Sequence, residues 1–512
     1  MLSSAVTRAR LSDEELKFEH TRRRFGLVVA PLAFASLLLA PTPGLSPEAH
    51  RLAAIALATV VLWITEAVPL AIAALLGPAL AVVMHVAPAR DAMAPFADPL
   101  IFLFLGGFFL AEGLSSQGFD RRAALWLMSR RFVAGSPRRA SAAVMAITFA
   151  FSMWISNTAT TAMMIPIGLG LHATMANVVS PEGEPRRRLD RFAGGICLGI
   201  AYSASIGGVA TPVGTGPNVI AMAVLERLAG VRIDFLAWMS FALPVSLAML
   251  VAAIWTFQRH FPAPAERLEG LTGEVRRQLA ELGSMHSGER RAVGVFLLAI
   301  AGWLAPSLLR LGLGRDHVVT AWATQALDEG IVAIVCASML FFLPARTSST
   351  PILGWERAVS VDWGTLMLLG GGLALGKMVF DTGLAQAIGQ SVIASVGPIA
   401  ASSAGLVIIA TLLVLVLTEV TSNTATTTMM LPVIIGVAQA GGIAPLPAAI
   451  CATMAASYAF LLPVSTPPNA MAYGTGLVRI DTMVKLGVRL DLVGYVLLVL
   501  CGVYLVPHLA LE

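Results

Sequence analysis

The sequence predicts an all-α polytopic membrane protein, an inverted repeat of about 11 transmembrane helices and two re-entrant hairpins. Three observations predict it. Charged residues make up 12% and hydrophobic residues 57% of the 512-residue chain, whereas a soluble domain carries about 25% charged residues. Apolar runs long enough to cross about 30 Å of hydrocarbon recur along the whole length. One six-residue polar string occurs twice within this apolar chain, at Ser156–Thr161 and Ser422–Thr427. Such a chain must use the lipid bilayer as its solvent.

Residues 1–24 are polar and mixed in charge and end in Arg22, Arg23 and Arg24. They read as a cytoplasmic tail rather than a cleavable signal peptide. A first span at 25–41 and an external loop reaching 51 follow. Further full spans are expected at 52–69, 70–87, 99–117, 238–257, 293–312, 329–345, 364–380 and 486–507. Between them, 140–228 and 401–477 are apolar but broken. In each, two half-segments meet at the polar string, and a helix interrupted by Pro and Gly comes next. Repeat 1 therefore occupies 52–257 with its hairpin near 140–177, and repeat 2 occupies 293–512 with its hairpin near 401–440. Residues 258–292, with Glu266, Glu269, Glu274 and Glu281, form a solvated cytoplasmic linker. Irregular backbone at membrane depth survives only where protein or a water-filled cavity satisfies it, so the broken regions carry the information.

Charge fixes the orientation. Suppose that the N-terminus is cytoplasmic and each hairpin returns to its own side. The cytoplasmic pieces 1–24, 118–139, 178–191, 258–292, 346–363 and 478–489 then hold 27 of the 34 Lys and Arg residues. The external pieces hold Arg51, Arg90, Arg227, Arg232, Arg310 and Arg315. This is the positive-inside asymmetry. It puts the first hairpin on the cytoplasmic side, the second on the external side, and the C-terminus outside. The net charge of +4 follows from this topology and says little about the ligand; no nucleic-acid partner is expected.

The repeat extends beyond the polar string. Both copies run on into Met-Met-x-Pro, at Met163–Pro166 and Met429–Pro432. Upstream, Leu105-Gly106-Gly107 matches Leu369-Gly370-Gly371. Downstream, Pro212–Asn218 matches Pro463–Asn469. The shortened spacing in the second copy reflects a hydrophilic insertion around Ser180 to Arg191 in the first. Ser-Asn-Thr alone is equally a polar helix–helix contact. Two copies, each with its own Pro-Asn loop, favour a binding site at the repeat interface, as in transporters with broken helices.

The residue types indicate the chemistry. Half-helix N-termini at the tips would project free N–H groups and partial positive charge, and Ser, Thr and Asn add neutral donors. No Lys or Arg lies near these segments in sequence, so cations are expected to help compensate an anionic substrate. Asn157 and Asn423 offer amide oxygens. Ser152 and Thr418, four residues before each tip serine, lie one turn earlier on the same face if the helix runs into the tip. Bonding of these hydroxyls to their own helix is the alternative; their presence in both copies favours ligation. Unwound carbonyls near Gly214 and Ser465 would complete a small oxygen cage suited to sodium.

At these residues the chain resembles the divalent anion:sodium symporter family of dicarboxylate and tricarboxylate carriers. The resemblance covers nearly the whole chain. It rests on Trp63-Ile64-Thr65-Glu66-Ala67-Val68-Pro69, both Ser-Asn-Thr segments, both Pro-Asn loops, and Gly370–Gly372 followed by Thr382-Gly383-Leu384. It implies a homodimer in which each protomer has a scaffold domain and a mobile transport domain. It implies one sodium site at Ser152, Ser156, Asn157 and Gly214 and another at Thr418, Ser422, Asn423 and Ser465. Substrate carboxylates would meet Ser156, Asn157, Thr158, Ser422, Asn423 and Thr424, with Thr215 and Thr466 nearby. Gly216 departs from the family pattern of two prolines before the loop asparagine and loosens a backbone that Pro would stiffen.

The expected function is secondary transport of small dicarboxylates by sodium symport with alternating access, in a bacterial inner membrane. Dicarboxylate exchange, or carriage of citrate or sulfate, is the alternative. The sequence has no HExxH, no GxGD and no serine–lysine pair at membrane depth, which argues against an intramembrane enzyme. Hairpins opening to opposite sides suit a carrier better than a channel. Structural roles are expected for Glu66 and Glu419, capping broken helices or bonding across domains. Glu112 is a further ionisable residue in a span. Lys377 and Asp381 are spaced to pair on one helix face. The scattered Cys197, Cys336, Cys451 and Cys501 read as core residues, and the dispersed histidines suggest no metal site.

Overall fold

Polar caps set where the helices of this apolar chain begin. The computed structural model describes residues 13–130, 133, 136–176, 184–264, 271–345 and 350–508. Residues 1–12 of the tail, 180–183 of the insertion, and 265–270 of the linker with Glu266 and Glu269 lie outside them. The described residues are helical, with no strand. The first part of the chain forms α1 (Asp13–Leu39), α2 (Pro47–Thr65), α3 (Leu70–Val83), α4 (Ala89–Met93), α5 (Pro99–Ser116) and α6 (Phe119–Met128). Next come α7 (Pro137–Ser152), α8 (Asn157–Ala176), α9 (Glu184–Gly208), α10 (Gly216–Ala229), α11 (Phe235–His260) and α12 (Leu271–Glu281). Then follow α13 (Ser287–Leu313), α14 (Val318–Ala326), α15 (Glu329–Phe342), α16 (Trp355–Ala358), α17 (Trp363–Asp381) and α18 (Leu384–Val396). The chain closes with α19 (Ser403–Thr418), α20 (Asn423–Ala440), α21 (Leu446–Ala455), α22 (Pro467–Tyr473) and α23 (Ile480–Leu500).

Ser46, Asp98, Asp234, Asp328 and Asp362 accept from first-turn N–H groups and so start α2, α5, α11, α15 and α17. Such caps satisfy otherwise orphaned donors, and hydrophobicity alone does not locate them. Hence α2 begins before the expected 52, and α13, whose first-turn Glu289 N–H is accepted by His286, begins before the expected 293. The polar segment from Asp13 is continuous with the first span in one helix. Among the described residues, six helices or joined helices are long and apolar enough to cross a membrane. They are Pro47–Thr65, Ala89–Ser116, Phe235–His260, Ser287–Leu313, Trp363–Asp381 and Ile480–His508. α14 and α15, bent by 68° at their junction, together meet the same criterion. The two polar tips divide the expected broken regions into helices that are individually shorter or mixed in polarity.

The element order of α5 to α10 recurs in α17 to α22, and the two halves interlock. α5 packs against α15 of the other half, and α17 packs against α3. The paired glycines permit this close approach. A Cβ on Gly106 would lie 2.6 Å from Ala333, and one on Gly371 would lie 2.2 Å from the Ala74 carbonyl oxygen. Small residues are favoured at helix contacts in lipid because apolar burial drives no association there. α10 likewise packs on α20, and α22 on α8.

Ion pairs lie at the helix ends. Arg227 bonds Asp98 at 2.6 Å through Nε, tying the end of α10 to the cap of α5. Arg122 bonds the buried Glu289 at 2.6 Å and also donates to the Leu282 and Gly283 carbonyls, which holds the linker end against α6. Glu66 closes α2 in the left-handed conformation, with φ 45°, and accepts from Arg22 at 2.9 Å. It therefore joins α1 to the α2 terminus, as its expected bonding role requires. Glu112 lies 3.7 Å from Arg357. Lys377 pairs with Asp381 on one face of α17. All four cysteines are buried and unpaired.

Candidate functional site

Each polar tip is a short break between two helices. α7 stops at Ser152 and α8 starts at Asn157; α19 stops at Thr418 and α20 starts at Asn423. The helix therefore does not run into the tip, and Ser152 and Thr418 are not one regular turn before their serines. They are terminal residues that reach across the break. The Ser152 hydroxyl donates to Asn157 Oδ1 at 2.8 Å, and the Thr418 hydroxyl lies 2.8 Å from Asn423 Oδ1. Thr418 Oγ1 also lies 2.5 Å from the Ala456 carbonyl oxygen, so its one proton serves either acceptor. In both copies a hydroxyl oxygen and an amide oxygen thus converge at the same separation.

The start of each second helix is partly self-capped. Ser156 Oγ accepts from the Ala159 N–H at 3.3 Å, whereas Ser422 makes no side-chain cap bond. Thr427 and Thr428 donate back to the Asn423 and Thr424 carbonyls at 2.9 and 2.8 Å. Their hydroxyls are spent within α20.

Each Pro-Asn loop clamps its own tip. Asn218 Nδ2 reaches the Gly208, Val209 and Thr211 carbonyls at 2.9, 3.3 and 2.7 Å. Asn469 Nδ2 reaches the Ala459 and Leu462 carbonyls at 2.8 and 3.0 Å. Both asparagines are fully buried. The Thr211 hydroxyl donates to the Met153 carbonyl, and the Ser465 hydroxyl lies 2.8 Å from both the equivalent Glu419 carbonyl oxygen and Glu419 Oε2, so its one proton serves either acceptor. The same tether is thus made from different loop positions. Gly214 sits in a short turn against Gly208, where a Cβ would lie 2.4 Å from the Gly208 carbonyl oxygen. A Cβ on Gly208 would lie 2.2 Å from Asn157 Oδ1. The glycines let the loop press directly on the first tip.

The halves meet at Gly216. A Cβ there would lie 3.1 Å from Thr424 Oγ1 and 3.3 Å from Thr365 Cγ2, so the first loop borders the second tip. Gly216 is the first residue of α10 in a regular helical start. Its consequence is room for Thr424 rather than unusual backbone. Among the described residues no side-chain hydrogen bond links the two tips directly. Thr215 and Thr466 hold matching N-cap positions. Thr466 Oγ1 accepts from the Asn469 N–H at 3.2 Å, and Thr215 makes no side-chain cap bond.

Burial separates the expected residues into two sets. Ser156, Asn157, Thr158, Thr215, Ser422, Asn423 and Thr424 are half-buried, so a ligand can reach them. Ser152, Gly214, Thr418, Ser465 and Thr466 are buried behind them. The inner set is all neutral oxygen, the donor class that hard cations take. The outer set adds hydroxyl and amide groups at the N-termini of α8, α20 and α10, where partial positive charge favours a carboxylate.

Sequence reasoning left the most connected acid, Glu419, with only a general structural role. Its carboxylate accepts from the Phe460 N–H at 2.9 Å and the Leu461 N–H at 3.1 Å, and the Ser465 hydroxyl lies 2.8 Å away. Asp491, buried in α23 and in hydrogen-bond contact with Glu419, was missed altogether. A lone acid in the apolar run 486–507 was the available signal.

This is the architecture of a membrane carrier. The family profile for the sodium:sulfate symporter transmembrane region matches residues 21–511, and the chain belongs to the divalent anion:sodium symporter family. The sodium-dependent dicarboxylate transporter SdcS of Staphylococcus saprophyticus is 34% identical over 96% of this chain and 93% of its own length. The protein of the same name from Staphylococcus aureus strain bovine RF122 is 34% identical over 94% of this chain and 91% of its own. Two solved transporters share the fold. The YdaH transporter of Alcanivorax borkumensis has a TM-score of 0.53 at 14% identity, over 95% of this chain and 97% of its own. MtrF of Neisseria gonorrhoeae has a TM-score of 0.53 at 13% identity, over 84% of each chain.

Proposed function

We propose that this protein carries small dicarboxylates across the membrane by sodium symport with alternating access. The observation that carries the reading is the matched pair of oxygen sets, Ser152 with Asn157 and Thr418 with Asn423, at two broken-helix tips bordered by half-buried donors. One sodium ion is held by Ser152, Ser156, Asn157 and Gly214, and a second by Thr418, Ser422, Asn423 and Ser465. The dicarboxylate lies between the tips, on Asn157, Thr158, Asn423 and Thr424, flanked by Ser156, Ser422, Thr215 and Thr466. Neutral ligands suit a carrier that must also move empty, because a fixed charge in the site would burden the unloaded state. The names of the SdcS relatives, alike over almost their whole length, support dicarboxylate and sodium as cargo.

The same reading places the tips as re-entrant hairpins opening to opposite sides of a bacterial inner membrane, with the N-terminus cytoplasmic and the C-terminus external. The Lys/Arg distribution supports that orientation. The protein works as a homodimer whose protomers each combine a scaffold and a mobile transport domain, the units of the inverted repeat. It transports its substrate without chemically altering it. Uptake of labelled succinate by proteoliposomes, with and without an inward sodium gradient, tests the proposal. Gradient-driven accumulation is expected. Equal uptake in both conditions contradicts symport, and uptake that requires internal dicarboxylate identifies an exchanger. Competition by citrate and sulfate defines the substrate range.

A further inference from the structure

At the end of the bundle that the Lys/Arg distribution assigns to the cytoplasm, two tryptophans each carry an arginine one turn on. Trp126 and Arg130 lie four residues apart where α6 ends, and Trp255 and Arg259 lie four apart where α11 ends. That spacing sets each pair on one face. The Arg130 Cζ sits 3.6 Å from the centre of the Trp126 ring, and the Arg259 Cζ sits 5.8 Å from that of Trp255. Both are within cation–π range. The rings are exposed, Trp126 at 51% and Trp255 at 63%. Leu247 and Val251 continue the Trp255 face along α11 at the same four-residue step and are exposed as well. The stripe therefore runs from aliphatic to indole to guanidinium, the order of acyl chain, interface and headgroup met on leaving a bilayer.

α7 brings the two pairs together. It packs against both α6 and α11, and the Arg130 carbonyl, at the start of the loop entering it, accepts from the Val133 N–H at 2.9 Å. Arg138, in the first turn of α7, donates through Nε to Gln258 Oε1 at 2.8 Å, and Gln258 donates back to the Arg138 carbonyl at 3.3 Å. Arg138 is thereby fixed beside Arg259 with its terminal N–H groups still to be used. On α23, Arg489 donates to the His260 ring and extends the basic band. Arg130, Arg138, Arg259 and Arg489 are all exposed. Among the described residues none of the four pairs with a carboxylate. By contrast Arg51, Arg227, Arg232 and Arg310, which the same distribution puts outside, each face an acid. Charge that the protein neutralises there is left open here.

We propose that this band binds the headgroup of an anionic phospholipid, with Arg130, Arg138 and Arg259 as donors and Trp126 and Trp255 as walls. A phosphodiester oxygen accepts from guanidinium groups in charge-assisted bonds, which the planar fork can make in pairs. Indole on either side removes part of the surrounding water and strengthens each of them. The acyl chains lie along Leu247 and Val251. A zwitterionic headgroup brings a cation of its own to a band that is already cationic, so the site selects lipids of net negative charge. Because α7 ends at Ser152, a headgroup held here ties the end of α6 to the helix that leads into the first tip. Its binding does not depend on which solute the tips carry.

Thermal melting of the purified full chain in a neutral detergent tests this, with dioleoyl phosphatidylglycerol, dioleoyl phosphatidylcholine or glycerol 3-phosphate added. Phosphatidylglycerol should protect with a midpoint about tenfold or more below that of phosphatidylcholine, and glycerol 3-phosphate should not protect. Arg130→Gln combined with Arg259→Gln should raise the phosphatidylglycerol midpoint by about tenfold or more and leave the phosphatidylcholine midpoint within about twofold. Arg90→Gln, at an exposed arginine of α4, should leave both midpoints within about twofold. Where the double variant does not fold, tryptophan fluorescence of the wild type decides. In phosphatidylcholine vesicles, a minor share of phosphatidylglycerol with brominated acyl chains should quench more than the same share of brominated phosphatidylcholine. Equal protection by the two lipids, an unchanged phosphatidylglycerol midpoint in the double variant, or equal quenching each overturns the proposal. Protection by glycerol 3-phosphate also overturns it, since the band would then take a soluble phosphate rather than a lipid.

Discussion

The Thr418 hydroxyl lies 2.8 Å from Oδ1 of Asn423, the same separation that joins Ser152 to Asn157 266 residues earlier in the repeat register. Each pair brings together the last residue of one helix and the first of the next. The oxygens converge because each break brings the end of one helix up to the start of the next. Removing one hydroxyl should weaken cation binding without dismantling the tip. Thr418→Val and Ser152→Ala are each expected to raise half-saturating sodium for uptake by about three- to tenfold, the cost of one lost oxygen ligand or polar contact. A sodium titration of initial uptake rates checks this, and unchanged titrations would remove these hydroxyls from the cation sites.

Gly216 leaves space that its counterpart in the second repeat, Pro467, does not. A Cβ at 216 would lie 3.1 Å from Thr424 Oγ1, close enough to displace that side chain by a few tenths of an ångström. Gly216→Ala and Gly216→Pro should raise the KM for succinate several-fold, with protein yield and melting little affected, because a first helical position accommodates both residues. An unchanged KM in both variants would show that Thr424 does not contact substrate from this side.

The loop asparagines act on stability. Asn218 Nδ2 shares its two protons among three carbonyls around the first loop, all enclosed in the core. Asn218→Ala would leave buried acceptors unpaired and should destabilise the protein by about 2–4 kcal/mol. Asn218→Asp should be no better, since a carboxylate cannot donate to those carbonyls. Thermal melting in detergent measures the loss. A melting temperature equal to wild type in both variants would contradict the clamp.

Arg122 is the described basic partner of a nearly fully buried acid, Glu289. Arg122→Ala strands that charge and should cost about 3–5 kcal/mol. It also removes the bonds that hold Leu282 and Gly283. Increased protease cutting between α12 and α13 should accompany lower melting, and resistance equal to wild type would contradict the latch.

Much of this was legible in the sequence because lipid imposes strict rules. A duplicated polar string in an apolar chain marks two helix breaks, and helices end at Ser152 and Thr418 and restart at Asn157 and Asn423. Lys377 and Asp381 pair as their four-residue spacing predicts. Helix starts were misplaced where Ser46 or His286 caps a helix ahead of the apolar run, whereas the helix capped by Asp98 starts at the expected residue 99. The relation of Ser152 to Asn157 looked like one turn of helix, and the break made it a contact between two ends. Gly216 meeting Thr424, and Asp491 meeting Glu419, join segments far apart in the chain. No local period or motif encodes such contacts; they arise from the way the two halves interlock.

The central claim is that the two tips are halves of one site. Equilibrium binding of labelled succinate to the purified protein at saturating sodium tests it most directly, comparing wild type with Asn157→Ala and Asn423→Ala. One succinate per protomer is predicted for wild type, with binding lost in each variant while melting shows both to be folded. Wild-type affinity in either folded variant would contradict the claim, because that tip would then take no part in holding the substrate.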